Sequence, residues 1–202
     1  LINSSTIHSD ETGINVNGKR IWLHTACNDL WTHFFPHHKR GSEAMNKIGI
    51  LPKFEGVLCH DHWKPYYLYN CLHSLCNAHH LRELEWSATD DKQKWAGKMK
   101  IFLKKLNTKV DLSGGKLSEK QSRYYRKKYL KILDDANKEC PPPTVTRKPG
   151  QRGRMKRSKS RNLLERLICF QDDVLRFVDN VDVPFTNNQG ENDLTHLCPN
   201  MF

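Results

Sequence analysis

The stretch "IHSDETGINVNGKRIWLHTAC", residues 7–27, sets the first elements of the fold. Asn17 and Gly18 lie between two segments of alternating apolar residues, and both residue types tolerate the positive φ that a tight hairpin turn requires. Two antiparallel strands joined at this turn are therefore predicted. Before them, the acidic pair Asp10 and Glu11 stands at the end of "IHSDETG", a short run that is typical of a strand.

The sequence after the hairpin completes a β-β-β-α-β order. The aromatic-rich "LWTHFFPH", residues 30–37, predicts a third strand, and Ser42 is expected to cap a helix over "EAMNKIGI". Gly56 then precedes "VLCHD", whose apolar run predicts a buried fourth strand that ends at Asp61. Asp10 and Asp61 are thus expected at the ends of the first and fourth strands.

This order is the opening of the ribonuclease-H-like α/β fold, in which the first and fourth strands are neighbours and present their carboxylates together. Two-metal phosphoryl transfer requires hard oxygen ligands that hold two Mg²⁺ ions roughly 3.5–4 Å apart. Because adjacent residues on a strand point to opposite faces, only one of Asp10 and Glu11 can face such a site. The other is expected to be hydrogen-bonded nearby or solvated.

A third carboxylate is expected near the C-terminus. In "VPFTNNQGEND", residues 183–193, Thr186 and Gln189 have the spacing of a capping box, which predicts a helix with Glu191 just inside it. An acid at this position also stabilises the helix dipole without any metal. The chemistry therefore makes Asp10, Asp61 and Glu191 a candidate triad.

Four ordered blocks of the sequence are "HSDETG", "KRGSEAM" with the following "GILPKFEGVLCHDHWKPYY", "HSLCNAHHLREL" and "VPFTNNQGEND". They resemble, with gaps over most of residues 6–194, the catalytic region of the insertion sequence 66 family of bacterial DDE transposases. The resemblance implies a ribonuclease-H-like core, dependence on Mg²⁺ or Mn²⁺, and cutting and joining of DNA ends. It makes Asp10, Asp61 and Glu191 the catalytic and metal-binding residues.

The sequence also departs from the family pattern. Members usually continue after the Glu with a basic helical stretch, whereas here Asn192 replaces a typical Arg and Pro199 would end a helix. Gly190 stands where Ala would favour the helix, and the family's amino-terminal zinc-binding and DNA-reading segments do not precede Leu1. These departures predict a chain truncated at both ends. The alternative to a catalytic domain is therefore a non-catalytic remnant that binds DNA by charge only.

The formal net charge of +11 is unevenly distributed. Residues 1–90 contain 8 Lys and Arg against 9 Asp and Glu, whereas residues 91–202 contain 25 against 13. The most basic stretch, residues 147–161, cannot pack into a core but can neutralise phosphates, so DNA is the expected partner and a solvated loop is the alternative. The predicted DNA-binding residues are Arg147, Lys148, Arg152, Arg154, Lys156, Arg157, Lys159 and Arg161.

A cluster of cysteines and histidines occupies "CLHSLCNAHHLRELEW", residues 71–86. One hypothesis is a zinc site, because Cys71, His73, Cys76, His79 and His80 offer suitable ligand atoms. The resemblance favours a helix beside the catalytic core instead, so zinc is not expected. His60 and His62 flank Asp61 and are either partners that orient its carboxylate or surface residues.

The predicted domain organisation is a core interrupted by a helical insertion. Residues 1–85 form the first part of the ribonuclease-H-like core, residues 86–181 the insertion with its basic loop at 147–161, and residues 182–202 the truncated end of the core. Within the insertion, amphipathic patterns predict helices over residues 94–106, 123–133 and 162–178.

Composition indicates a soluble cytoplasmic protein. No segment approaches the roughly 18 apolar residues of a membrane span, and the N-terminus lacks a signal-peptide pattern. Seven cysteines without regular spacing indicate reduced thiols. The resemblance adds insertion-sequence ends and target DNA as partners, and a homo-oligomer in the active complex.

Overall fold

The chain divides into two compact units in the computed structural model, which describes residues 1–143 and 157–197. The first unit comprises Leu1–Ala78 and Asn180–Phe202, and the second comprises His79–Asp179. The described part of the chain contains no helix that is long and apolar enough to cross a membrane. Of the predicted DNA-binding residues, Arg147, Lys148, Arg152, Arg154 and Lys156 lie outside the described residues.

A five-stranded mixed sheet forms the centre of the first unit. Its strands are β1 (Thr6–Val16), β2 (Lys19–Cys27), β3 (Thr32–His37), β4 (Val57–His60) and β5 (Leu72–Leu75), in the order β3-β2-β1-β4-β5. The pairs β1–β2 and β2–β3 are antiparallel, whereas β4 is parallel to both β1 and β5. The predicted β-β-β-α-β order is therefore confirmed. The hairpin turn is also where it was predicted, with positive φ at Asn17 and Gly18.

The prediction that Asp10 ends the first strand is wrong. β1 continues to Val16 because its residues pair with β2 along the whole hairpin, with Asp10 opposite Thr25. The parallel ladder between β1 and β4 is much shorter and ends at the pair His8–Cys59. Asp10 therefore lies just beyond the last β1 residue that has a partner on β4.

Helix α1 (Ser42–Ile48) and two short 3₁₀ turns cover an apolar part of the first unit. Ser42 is the first helical residue and Gly41 precedes it without a side-chain hydrogen bond, so the predicted Ser42 cap is wrong. The helix instead contributes Met45 to the core. This core consists of Ile7, Met45, Leu51, Phe54, Leu58, Tyr66 and Tyr69.

Helix α7 (Asn188–Leu197) belongs to the C-terminal segment of the first unit and packs on β1 and β2. The predicted capping box is wrong, because the helix begins two residues after Thr186 and the Gln189 side chain donates to the Asn28 carbonyl at 2.6 Å. Gly190 faces β1, since a Cβ there would lie 3.5 Å from the Cβ of His8 and 3.3 Å from Nδ2 of Asn187. The glycine thus allows a close approach between helix and strand.

The described part of the second unit is helical. Its helices are α2 (Asn77–Thr89, which begins at the end of the first unit), α3 (Lys94–Asp111), α4 (Glu119–Glu139), α5 (Lys159–Cys169) and α6 (Gln171–Leu175). The predicted helices over residues 94–106 and 123–133 are confirmed within α3 and α4. The predicted continuous helix over 162–178 is wrong: Phe170 (φ −117°, ψ 31°) separates α5 from α6, and a 3₁₀ turn follows at Arg176–Val178.

Candidate active site

Asp10 is a partly buried carboxylate in the middle of β1. Its Oδ1 accepts a hydrogen bond from the backbone N–H of Glu11 at 2.9 Å. The pKa of Asp10 is raised to about 7, mainly by burial and then by the charges of Glu11, Asp61 and Glu191 in that order. Asp61 and Glu191 thus lie near enough to affect the pKa of Asp10, and their elements are neighbours of β1, since β4 pairs with it and α7 packs on it.

Asp61 directly follows β4. Its Oδ1 accepts a hydrogen bond from the backbone N–H of Trp63 at 2.9 Å, which closes a tight local turn. Between them, His62 has a positive φ of 72°, an uncommon conformation for a residue with a side chain. The chain therefore bends sharply at Asp61, at the edge where β4 stops pairing with β1.

Glu191 lies in the first turn of α7, as predicted. Its Oε1 is 3.7 Å from Sγ of Cys76, which is a possible thiol donor. The same sulfur accepts a hydrogen bond from the backbone N–H of Asn187 at 3.1 Å. Cys76 thus contacts both the carboxylate and the start of the helix that carries it.

Asn187 joins the start of α7 to β1. Its Oδ1 accepts from Nδ1 of His8 at 2.8 Å, and its Nδ2 donates to the carbonyl of Ser9 at 3.0 Å. The side chain is almost fully buried, and a buried amide without its hydrogen bonds destabilises the fold. Burial also lowers the pKa of His8, which keeps its ring neutral with the proton on Nδ1. These bonds fix Glu191's helix on the two residues that precede Asp10.

Glu11 forms a hydrogen-bonded cluster with Arg40 and Tyr66, here called the second cluster. Strand alternation predicted such bonding for one residue of the acidic pair. Arg40 donates to its Oε1 from Nε at 2.8 Å and from a terminal nitrogen at 2.6 Å, and the Tyr66 hydroxyl donates to Oε2 at 2.6 Å. Burial raises the pKa of Glu11, while the hydrogen bonds from Tyr66 and Arg40 act in the opposite direction. Glu11 is therefore a buried charge with a compensating partner.

Two indole rings hold Arg40 in place. The guanidinium carbon lies 4.9 Å from the ring centre of Trp22 on β2 and 4.3 Å from that of Trp63. Stacking of this kind is favourable between a cation and an aromatic face. Because Trp63 also donates to Asp61, the Glu11 cluster is connected to the turn that carries the second candidate acid.

The sequence analysis did not assign roles to Arg40, Tyr66 or Asn187. All three lie inside the quoted blocks "KRGSEAM", "HDHWKPYY" and "TNNQGEN", so their positions were visible. Their partners were not, because Asn187 bonds to residues more than 170 positions earlier in the chain.

His60 and His73 form a buried pair beneath the Asp61 turn. Nδ1 of His60 accepts from the backbone N–H of His62 at 3.2 Å, so the ring proton is on Nε2, which lies 3.1 Å from Nδ1 of His73. Burial, followed by the charges of His73 and His62, lowers the pKa of His60 well below its usual value. His60 therefore supports the backbone after Asp61 through a neutral ring, and His73 of the Cys/His cluster is its partner.

Three of the predicted DNA-binding residues lie in the described part of the second unit. Arg161 is buried, and one terminal nitrogen donates to Oδ1 of Asn137 and to the Cys140 carbonyl, both at 2.7 Å. Arg157 and Arg161 both pair with Glu165. Lys159 is exposed at the start of α5. The two arginines therefore bond to other residues of the unit, whereas Lys159 is accessible to solvent.

Comparison with known proteins gives one family match. A family model described as "Transposase IS66 family" matches residues 1–198 of the 202-residue chain. This range includes Asp10, Asp61 and Glu191. No curated protein and no solved structure matches the chain.

Proposed function

The chain belongs to the IS66 family of transposases, and on this premise we propose that it cleaves DNA strands at insertion-sequence ends and joins them to target DNA. The proposed catalytic residues are Asp10, Asp61 and Glu191. The observation that carries the proposal is the placement of these acids around β1: Asp61 directly follows β4, which pairs with β1, and the helix α7 that contains Glu191 packs on β1. A ribonuclease-H-like core is part of the proposal, and the neighbouring parallel strands β1 and β4 support it.

Membership of this family implies a divalent metal ion, and the donor set fits Mg²⁺ or Mn²⁺. Three carboxylates supply hard oxygen ligands, which these ions prefer. Burial and mutual repulsion disfavour the charged form of Asp10, and a cation held by Asp10, Asp61 and Glu191 would relieve both effects. When bound, such ions activate the attacking hydroxyl and stabilise the leaving oxygen in phosphoryl transfer.

The surrounding residues position the carboxylates. Asn187 fixes the start of α7 against β1, and the Trp63 N–H holds the carboxylate of Asp61. On the second cluster, Arg40 compensates the charge of Glu11, so that this acid does not add a full uncompensated charge beside Asp10. Preorganised ligands of this kind reduce the reorganisation that metal binding and catalysis require.

DNA is the substrate class that the family implies, and the charge distribution supports it. The basic excess is confined to residues 91–202, which contain the exposed Lys159. Phosphate neutralisation by such residues makes affinity strongly salt-dependent. We propose that the basic segment holds the DNA backbone while the carboxylates act on one phosphodiester.

The test is metal-dependent cleavage of DNA that carries the insertion-sequence ends flanking the gene. We expect strand nicking with Mg²⁺ or Mn²⁺, none with EDTA, and a loss of at least 100-fold in Asp61→Asn and Glu191→Gln. Glu55→Gln is the matched control because Glu55 is an exposed acid of the same unit.

The competing function is a non-catalytic remnant that binds DNA by charge only. It predicts salt-sensitive DNA binding with no metal-dependent nicking in the unmodified chain. It also predicts that Glu191→Gln changes neither metal affinity nor melting temperature. Those results together would reject the catalytic proposal while leaving the DNA-binding role in place.

A further inference from the structure

Trp86 is a partly exposed aromatic residue on α2, in the second unit. It leaves 37% of its surface accessible, whereas Leu84 on the same helix is fully buried. The ammonium nitrogen of Lys159, at the start of α5, lies 4.7 Å from the centre of the indole ring. An aromatic face and a cation therefore stand together at the surface of this unit.

Trp86 and Lys159 line a groove between α2 and α5. Its volume is about 400 Å³, which is within the range of small-ligand sites. Apolar, hydrogen-bonding and charged side chains all contribute to its walls. The lining residues are Arg82, Glu83, Trp86, Ser87, Lys159, Asn162, Leu163 and Arg166.

The groove has a net positive charge. Arg166 donates to Glu83 at 3.1 Å and forms an ion pair with it, so these two charges compensate each other. Arg82 and Lys159 are both exposed and contribute the excess. The groove thus matches an anionic ligand that also has an apolar face.

The position of Lys159 adds a second argument for an anion. α5 is 11 residues long, begins at Lys159 and has no acid in its first turn. A lysine is unfavourable at a helix N-terminus because the helix dipole is positive there, whereas a bound anion is favourable. Lys159 is also close in sequence to the basic segment that precedes α5.

We propose that this groove binds an unpaired nucleotide of single-stranded DNA, with the base stacked on Trp86 and its phosphate held by Lys159 and Arg82. A base inside a duplex has both faces covered by its neighbours, so an accessible indole selects an unstacked base. The inference rests on the proposed function, because that function makes DNA the ligand and separates its strands at the cleaved end.

The experiment compares single-stranded and fully paired DNA of the same sequence by fluorescence anisotropy, using the whole chain. Trp86→Ala should weaken binding of the single strand by roughly 5- to 150-fold, as expected for loss of one stacked base, and should leave duplex binding within about twofold. Trp86→Phe should retain most of the affinity. The matched control is Trp31→Ala, since Trp31 is 69% exposed and lies in the other unit.

A second measurement tests the stacking directly. The fluorescence of 2-aminopurine in the single strand should be quenched by the unmodified chain and by the Trp31 variant, but not by Trp86→Ala. Equal losses for single-stranded and duplex DNA would overturn the proposal in favour of a general contact, and so would unchanged single-strand binding. Failure of the unmodified chain to bind duplex DNA would instead count against the proposed function. The melting curve shows whether the alanine variant is folded. If it is not, the affinity of Trp86→Phe and the quenching by the unmodified chain decide whether the proposal holds.

Discussion

Replacing Asp10 by Asn should remove a pH dependence from the stability of the protein. Burial and the neighbouring acids raise the pKa of Asp10 from 3.8 to about 7 in the folded chain. The folded state therefore binds this proton more tightly than the unfolded state does. The stabilisation from this group is fully present below about pH 4 and is lost as the pH rises through about 7.

The size of the effect follows from the shift. A difference of about three pK units corresponds to about 4 kcal/mol between the two ends of the range. Domains are stable by only about 5–15 kcal/mol, so a change of this size is readily measured. Asparagine has nearly the same shape as aspartic acid but does not titrate, so the variant should lose this component of the pH dependence alone.

The assay is urea unfolding of the unmodified chain and of Asp10→Asn between pH 4.5 and 8, in buffer containing EDTA. The quantity of interest is the difference between their unfolding free energies at each pH, which removes the contribution of titrating groups that do not interact with Asp10. Glu55→Gln controls for the loss of an exposed acid. At pH 8, added Mg²⁺ should stabilise the unmodified chain and should have little effect on the Asn variant.

A constant difference across this pH range would refute the argument. It would mean that Asp10 has an ordinary pKa in the folded chain, and therefore that it is neither buried as described nor close to Asp61 and Glu191. The metal result is independent of this outcome, because a site with ordinary pKa values can still bind Mg²⁺.

Further predictions concern the residues around the carboxylates and the charge of the second unit. Glu11→Gln should cost about 1–3 kcal/mol in a thermal melt, because the buried carboxylate loses its charge-assisted hydrogen bonds with Arg40 and Tyr66, whereas the Arg40 side chain is 40% exposed and stays solvated; an unchanged melting temperature would contradict this. Asn187→Ala should cost about 1–3 kcal/mol and speed hydrogen exchange in α7, because it removes the bonds to His8 and the β1 backbone. Gly190→Ala should destabilise the chain despite its better helix propensity of about 1 kcal/mol, since the added methyl group would lie 3.3 Å from the Asn187 side chain, which is held by its bonds to β1; a higher melting temperature would show that the contact relaxes. Neutralising the basic residues of 147–156 should flatten the slope of log affinity for DNA against log salt, and an unchanged slope would place the phosphate contacts elsewhere.

Local signals predicted much of the sheet. The Asn17–Gly18 turn depends only on the φ preferences of two residues, so it was identified from the sequence, and the register of β1 and β2 follows from it. The short apolar run of β4 was equally local, and the strand ends at His60, one residue before the predicted end at Asp61. The continuation of β1 through Asp10 was not predicted, because it depends on pairing with β2 over nine residue pairs, from His8 to Val16.

Long-range partners limited the remaining predictions. The sequence around Thr186 fits a capping box, but Gln189 bonds to Asn28 and Asn187 bonds to His8, and neither partner is visible in the local pattern. Arg161 likewise matched a basic segment, whereas its guanidinium is bonded to residues of α4 and the segment after it. In each case a polar side chain bonds to a group that is distant in the sequence.

The adjacent carboxylates of Asp10 and Glu11 have different roles because a strand has two faces. Glu11 is compensated by Arg40 and Tyr66, and this cluster also holds Trp63 beside the Asp61 turn. The pKa of Asp10 is instead set by burial, a backbone hydrogen bond and the charges of other acids. One acid of the pair therefore stabilises the fold with a partner that the chain supplies. The other has an electrostatic cost that a proton or a bound cation would relieve, which agrees with the metal-binding role proposed for Asp10.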